Sequence, residues 1–131
     1  MRDMGHFFEM IEVSAIGRRD DRQSLRAMVD TGSEYTWVPA DVLEALGIER
    51  ERPSEFVTAD GTTLARDTGF AFLSVNGSQT VDVVVFGAPG DAVLLGAHTL
   101  EGLNLLVDPV HKRLLPGGLV PGPAPRLARA P

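Results

Sequence analysis

The chain has 131 residues, 44% of them hydrophobic and 23% charged, which suits one compact domain with an apolar core. Its formal net charge is −6, and no Lys/Arg cluster is large enough to follow a phosphate backbone, so no nucleic-acid partner is expected. The absence of cysteine excludes disulfides, thiol catalysis and cysteine-ligated zinc. No apolar run has the length of a signal peptide or membrane span, so we expect a cytoplasmic protein that does not bind membranes.

The first predicted elements are a hairpin and a short helix. Residues 6–16 alternate as a strand does, residues 17–22 resemble a polar turn, and residues 24–29 form the returning strand. Apolar residues at helical spacing predict a helix of about two turns over residues 40–46. Gly47 is well placed to end this helix.

Two glycine-containing turns predict further hairpins. The dipeptides Asp60-Gly61 and Asn76-Gly77 favour the tight turns that join antiparallel strands. The segment 81–86 is nearly all apolar, which predicts a central strand. The predicted hairpins join residues 55–59 to 62–66 and residues 69–75 to 80–86.

The last elements are short. Residues 93–96 predict a buried strand, residues 99–103 predict a helical turn with Thr99 as its N-cap, and residues 105–108 and 113–115 predict a final hairpin. Eight to ten short strands with Gly, Asn and Asp turns favour an all-β fold whose sheet closes like a barrel. We expect this domain to cover residues 1–116. The Pro- and Gly-rich residues 117–131, with Arg126 and Arg129, are expected to form a disordered tail.

One motif carries a chemical prediction. Asp30-Thr31-Gly32 follows an apolar strand, and Ser33 adds a second hydroxyl. A glycine lets the backbone pass close to the carboxylate, so that neighbouring N–H groups can hydrogen-bond it. Two such carboxylates placed face to face share a proton, and the pair can then act as base and acid. Most Asp-x-Gly tripeptides are ordinary turns, so the flanking sequence decides the interpretation.

The flanking sequence resembles a known family. Residues 29–39 (VDTGSEYTWVP) resemble the active-site segment of aspartic proteases, and residues 94–108 are similar to the second signature of retropepsin-like domains. The two segments occur in the expected order, with the Asp60-Gly61 hairpin between them. The resemblance covers roughly residues 6–116 and is to the single-domain, clan AA retropepsin-like proteases, bacterial type.

The resemblance implies an acid-protease fold, a closed β-barrel-like sheet with one or two short helices. It also implies an aspartic endopeptidase that acts on extended peptides, with neither metal nor cofactor. A pepsin-like enzyme carries two catalytic motifs in one chain, whereas we identify one in this sequence. The resemblance therefore implies a homodimer. The implied site consists of catalytic Asp30, its loop support Thr31, Gly32 and Ser33, the flap residues Ala59, Asp60 and Gly61, and Leu94, Leu95 and Gly96 beneath the loop.

One departure and two alternatives accompany this interpretation. Retroviral members usually carry Arg after the glycine of the second signature, whereas Ala97 and His98 follow Gly96 here. A contact between His98 and Glu34 is one hypothesis for a replacement. The first alternative is a non-catalytic module with the same fold, used for peptide binding or dimerisation. The second is an enzyme in which a different partner chain supplies the other Asp.

Overall fold

A computed structural model describes residues 6–125, which form nine strands and two short helices. The predicted all-β class is therefore confirmed. No helix among these residues is long and apolar enough to cross a membrane. The elements in chain order are β1 (Phe8–Ala15), β2 (Arg18–Asp30), β3 (Thr36–Pro39), α1 (Ala40–Ala45), β4 (Arg52–Val57), β5 (Thr63–Val75), β6 (Ser78–Gly87), β7 (Leu94–Gly96), α2 (Ala97–Leu103), β8 (Leu105–Asp108) and β9 (Arg113–Pro116).

The main sheet closes on itself. Its strand order is β1-β2-β7-β3-β6-β5-β4, and β1 also pairs with β5, so six strands form a ring. The expected closure of the sheet is thereby confirmed, and β6 is central, between β3 and β5, as its apolar sequence predicts. Strand β4 pairs only with β5 and extends outside the ring as one arm of a hairpin. Strands β8 and β9 form a separate two-stranded sheet.

Alternation along the strands creates the core. In β5, Ala71, Leu73 and Val75 are at most 1% exposed, whereas the two residues between them are only partly buried. Such a period of two places one row of side chains inside the ring and the other row outside. The core is completed by side chains from the other ring strands and from both helices, including Ile11, Val13, Ala27, Val29, Val38, Leu43, Val84, Phe86, Leu95, Leu100 and Leu103.

The turn at Asn76-Gly77 forms as predicted, whereas the predicted strands 62–66 and 69–75 are one continuous strand, β5. Asn76 and Gly77 have φ values of 51° and 84°, the left-handed conformation that a two-residue hairpin turn requires. The predicted polar turn over residues 17–22 is wrong, because β2 already begins at Arg18. This hairpin extends into solvent, where the first charged residues of β2 remain exposed on both faces of the strand.

The second helix begins earlier than predicted. It starts at Ala97, and Thr99 is not its N-cap but lies inside the helix, fully buried. The N–H groups of Ala97 and His98 donate instead to backbone carbonyls of residues 33 and 34, at 2.8 and 2.9 Å. A distant segment therefore replaces the local cap that the sequence suggested.

The C-terminal boundary remains a prediction. Strand β9 ends at Pro116, and residues 117–125 contain neither helix nor strand. The rest of the predicted tail, with Arg126 and Arg129, lies outside the described residues.

Leu95 provides a test of the ring core. It is completely buried on β7, so Leu95→Ala should lower the free energy of unfolding by about 2–5 kcal/mol in urea denaturation. Leu119, which is 100% exposed, is the matched control, and Leu119→Ala should change stability by less than about 0.5 kcal/mol. Similar losses in both variants would contradict the assigned core.

Candidate active site

Asp30 lies where three strands meet. It is the last residue of β2 and pairs in parallel with Gly96 of β7, while β7 also pairs with β3 on its other side. Since β2 and β3 are consecutive in the chain but separated by β7 in the sheet, the loop of residues 31–35 must cross the end of β7. The second-signature residues Leu94 and Leu95 pair with Met28 and Val29, so this segment runs directly beside the strand that carries Asp30.

Gly96 permits the loop to cross. A Cβ atom at this position would lie 2.9 Å from the carbonyl oxygen of Ser33 and closer still to that of Tyr35. Both obstacles are backbone atoms, which cannot move away as a flexible side chain can. Immediately after Gly96, the N–H of Ala97 donates to the Ser33 carbonyl at 2.8 Å. The position therefore requires glycine for close packing, and the packing sets the path of the loop.

The carboxylate of Asp30 is oriented by its own loop. Asp30 is half-buried, and the backbone N–H of Gly32 donates to its Oδ1 at 2.9 Å. Thr31 is exposed beside it. The Ser33 hydroxyl, one of the predicted loop supports, donates to the carbonyl of Tyr35 at 2.8 Å. Ser33 thus stabilises the loop backbone, because its hydroxyl finds a nearer acceptor within the same turn.

The tripeptide occurs a second time, which corrects the interpretation that the chain carries only one. Asp67-Thr68-Gly69 lies inside β5 rather than at a strand end. The carboxylate of Asp67 accepts a hydrogen bond from Arg50 at 2.9 Å, and Thr68 is 4% exposed. Neither Asp67 nor Thr68 lines the cleft that contains Asp30. This copy therefore has a structural environment, and its sequence alone does not reveal that difference.

Buried hydroxyl groups connect the loop to the core. The N–H of Gly96 donates to Thr36 Oγ1 at 3.0 Å. The Thr36 hydroxyl donates to Thr99 Oγ1 at 2.7 Å, and the Thr99 hydroxyl donates to Asp82 Oδ2 at 2.8 Å. Both threonines are completely buried, and Asp82 is 6% exposed. Every donor in this series of hydrogen bonds points towards Asp82, so the carboxylate fixes the orientation of both hydroxyls. Sequence reasoning missed Asp82, although a lone acid in an otherwise apolar segment was a usable signal.

His98 completes this network. Its Nδ1 lies 2.8 Å from Asp82 Oδ1, so the hypothesised side-chain contact with Glu34 is wrong; only the backbone N–H of His98 reaches the Glu34 carbonyl. The hydrogen bond with Asp82 raises the pKa of His98 above its usual value. The imidazole also meets the ring of Tyr35 edge-on, with centroids 5.9 Å apart. His98 therefore connects the buried acid to a side chain of the cleft wall.

An open cleft of about 550 Å³ extends from Asp30 to the β4–β5 hairpin. Aromatic rings form one wall: the ring of Phe56, on β4, lies 5.2 Å from that of Trp37 and 6.4 Å from that of Tyr35, centroid to centroid. Trp37 is thus a buried residue that also lines the cleft. Further apolar lining comes from Val57, Leu64 and Leu94. A largely apolar cavity of this size with a few polar groups is typical of a ligand site.

The predicted flap residues form the turn of the β4–β5 hairpin. Ala59 lines the cleft, and Gly61 has a φ of 87°. The Asp60 side chain bonds back to its own turn, accepting from the Thr58 hydroxyl and from the N–H of Thr62 at 3.0 Å. These bonds lower the pKa of Asp60 to about 2. The turn is therefore braced internally and carries a negative charge above that pH.

The described residues do not assemble a metal site: no three His, Cys, Asp or Glu side chains within 6–125 are grouped to hold an ion.

A mainly β ring that presents an Asp-Thr-Gly loop at the floor of an open cleft has the organisation of an aspartic protease chain. Residues 18–102, more than half of the chain, match the sequence model of the gag-polyprotein putative aspartyl protease family. The protein therefore belongs to this family; its bacterial type stays a prediction. Among solved structures it is similar to the simian foamy virus (mac) protease in solution, at 24% identity and a TM-score of 0.48, over 71% of this chain and 92% of that chain. No curated protein matches the chain.

The close approach at Gly96 can be tested by substitution. Gly96→Ala should lower the free energy of unfolding by about 1–3 kcal/mol, because the added methyl overlaps backbone atoms of the loop. Gly17→Ala is the matched control, since an added Cβ there meets nothing within 4 Å. Thermal or urea unfolding that showed equal effects in both variants would contradict the crossing geometry.

The Asp82–His98 pair predicts a pH-dependent coupling. Because the folded-state pKa of His98 is raised, its stabilising contribution is complete below the unfolded pKa of about 6.5 and is lost as the pH rises through the folded value. A double-mutant cycle of Asp82→Asn and His98→Gln, measured by urea denaturation, should therefore give a larger coupling free energy at about pH 5.5 than at about pH 8.5. A coupling that is independent of pH would contradict the assigned pair.

Proposed function

We propose that this protein is an aspartic endopeptidase that hydrolyses peptide bonds as a homodimer, with Asp30 of each chain forming the catalytic pair. The observation that carries the proposal is the position of Asp30. Of the two Asp-Thr-Gly copies, only this one lies at a strand end, on the floor of an apolar cleft, with a backbone N–H on its carboxylate. Family membership supports the same activity.

The proposed mechanism uses two Asp30 carboxylates related by a two-fold axis. Like charges at short distance cannot both ionise, so the pair holds one proton. The ionised member removes a proton from a water molecule that attacks the peptide carbonyl, and the protonated member donates to the carbonyl oxygen. The C–N bond of the tetrahedral intermediate then breaks as the pair gives its proton to the leaving amine nitrogen and takes one from a hydroxyl of the intermediate. The N–H of Gly32 holds Oδ1 of its own Asp30 in place. We expect an acidic to near-neutral optimum, where the pair carries one proton.

The remaining site residues fit this arrangement. Thr31, exposed beside the carboxylate, is available to brace the corresponding loop of the second chain. Ala59, Asp60 and Gly61 form the turn that would cover an extended substrate, since a peptide in such a cleft pairs with strand-like backbone. Ser33 supports the loop through its bond to the Tyr35 carbonyl.

A second chain also has a place to attach. Within residues 6–125 the β8–β9 sheet has two strands, so each strand has an outer edge without a strand partner among these residues, and Leu106 of β8 is 57% exposed. Open edges of this kind are templates for strands of another chain. This edge supports the proposal of a homodimer, because one two-fold axis could pair two such sheets.

The decisive experiment compares wild type, Asp30→Asn and Asp67→Asn on a mixture of unfolded proteins from acidic to neutral pH. Asp30→Asn should lower the cleavage rate at least about a thousandfold, because it removes the group that takes and gives the proton. Asp67→Asn changes the same residue within the same tripeptide and should retain activity within about twofold, since a surface ion pair contributes little. Cleavage retained by Asp30→Asn would refute the proposal, and a wild type that cleaves nothing would favour the non-catalytic module.

A further inference from the structure

Within the described part of the chain, the side chains that line the cleft include acidic groups but no basic ones. Three of its lining side chains are carboxylates, those of Asp30, Glu34 and Asp91, and no Lys or Arg of the described residues lines it. The whole chain has a formal net charge of −6, so no distant excess of cations offsets this set.

Asp91 is already neutralised. Its two oxygens accept from Arg66 Nε at 2.7 Å and from Arg66 Nη2 at 3.0 Å, and both side chains are largely buried, at 17% and 19% exposure. Its Oδ2 also accepts from the N–H of Ala88 at 2.7 Å. Such a bidentate pair holds both partners in place. Asp91 therefore contributes shape to the cleft wall more than charge.

Glu34 is the available carboxylate. It is exposed, and its side chain makes neither an ion pair nor a hydrogen bond within the described part of the chain. The nearby His98 is bonded to Asp82 instead. Asp30, the third acid, is the reacting group of the proposed mechanism. Glu34 is thus left as an acid beside the cleft with no partner among the described side chains.

An apolar surface adjoins Glu34 directly. Tyr35 follows it in the chain and is half-buried against Phe56, which in turn packs on Trp37. On the flap side, Asp60 follows the lining residue Ala59 in the chain and adds a further carboxylate. A ligand that fills this cleft therefore meets an aromatic wall and a negative potential side by side.

We infer that the cleft selects extended peptides in which a large apolar side chain is accompanied by a basic one, and that Glu34 is the specificity-determining residue for the basic side chain. This rests on the proposed function, because it concerns the same cleft. The apolar side chain packs on the wall formed by Tyr35, Trp37 and Phe56, and the Lys or Arg side chain pairs with Glu34. In a homodimer the two copies of Glu34 accept a basic residue on either side of the bond that is cleaved. Acidic peptides are discriminated against by repulsion.

The test measures binding with the Asp30→Asn chain, so that no peptide is consumed. Fluorescently labelled peptides share a Leu-Phe centre and carry Lys, Gln or Glu on both flanks. The Lys peptide should bind about two- to fivefold more tightly than the Gln peptide, as expected for a partly exposed ion pair, and the Glu peptide more weakly by a similar factor. Raising the salt concentration should compress this range, because exposed charges are screened over about 10 Å at 0.1 M.

The variant Glu34→Gln, added to Asp30→Asn, should abolish most of the preference for Lys over Glu. Glu51→Gln is the matched control: it makes the same charge change at an exposed glutamate that does not line the cleft, and it should leave the preference intact. Equal binding of all three peptides, a preference that survives Glu34→Gln, or no binding of any peptide would each overturn the inference.

The two proposals can fail separately. Selective binding of Lys peptides by a wild-type chain that cleaves none of them would overturn the proposed catalysis and retain the specificity. Cleavage that depends on Asp30 but not on the charge of the flanking residues would retain the catalysis and overturn the specificity.

Discussion

The fold depends on one steric constraint, the passage of the loop after β2 across the end of β7. Strands β2 and β3 are consecutive in the chain, yet β7 lies between them in the sheet, so the loop and the end of β7 must occupy neighbouring space. Gly96 makes this possible because the loop carbonyls lie where a Cβ would stand. The same crossing brings the first N–H groups of α2 to those carbonyls and leaves Asp30 at the edge of the sheet. This close contact thus sets the path of the loop, whose Gly32 N–H holds the carboxylate.

Burial makes this arrangement costly to disturb. Thr36 and Thr99 are fully buried, and the partners of their hydroxyls among the described residues are one another, Gly96 and Asp82. Within residues 6–125 no buried side-chain nitrogen or oxygen lacks a partner, so loss of one member leaves another unsatisfied at about 1–3 kcal/mol. The His98 side chain, two residues after Gly96, is bonded to Asp82 from a different strand. The loop is consequently supported by groups whose bonding changes with pH.

The features that depend on neighbouring residues in the chain were predicted correctly from the sequence. The turns at Asp60-Gly61 and Asn76-Gly77, the helix ending near Gly47 and the central position of β6 all follow from backbone preference or apolar content, and each is present. What failed depends on partners distant in sequence. Thr99 is of a residue type that often caps helices, but carbonyls of the loop accept the hydrogen bonds from the first N–H groups of α2 instead. Asp67-Thr68-Gly69 has the same sequence as the motif at Asp30, but it lies inside β5 and not at a strand end. The Arg66–Asp91 pair, 25 residues apart, left no local signal at all.

The central claim is that two chains build one catalytic pair, and subunit mixing tests it most directly. Wild-type protein at fixed concentration is equilibrated with increasing Asp30→Asn protein, and the cleavage rate is measured at each ratio. If each site needs Asp30 from two chains, the inactive chains will capture wild-type chains and the rate will fall towards zero as they reach excess; Asp67→Asn protein added in the same way will not lower it. A rate that stays constant while Asp30→Asn is added would contradict the shared site.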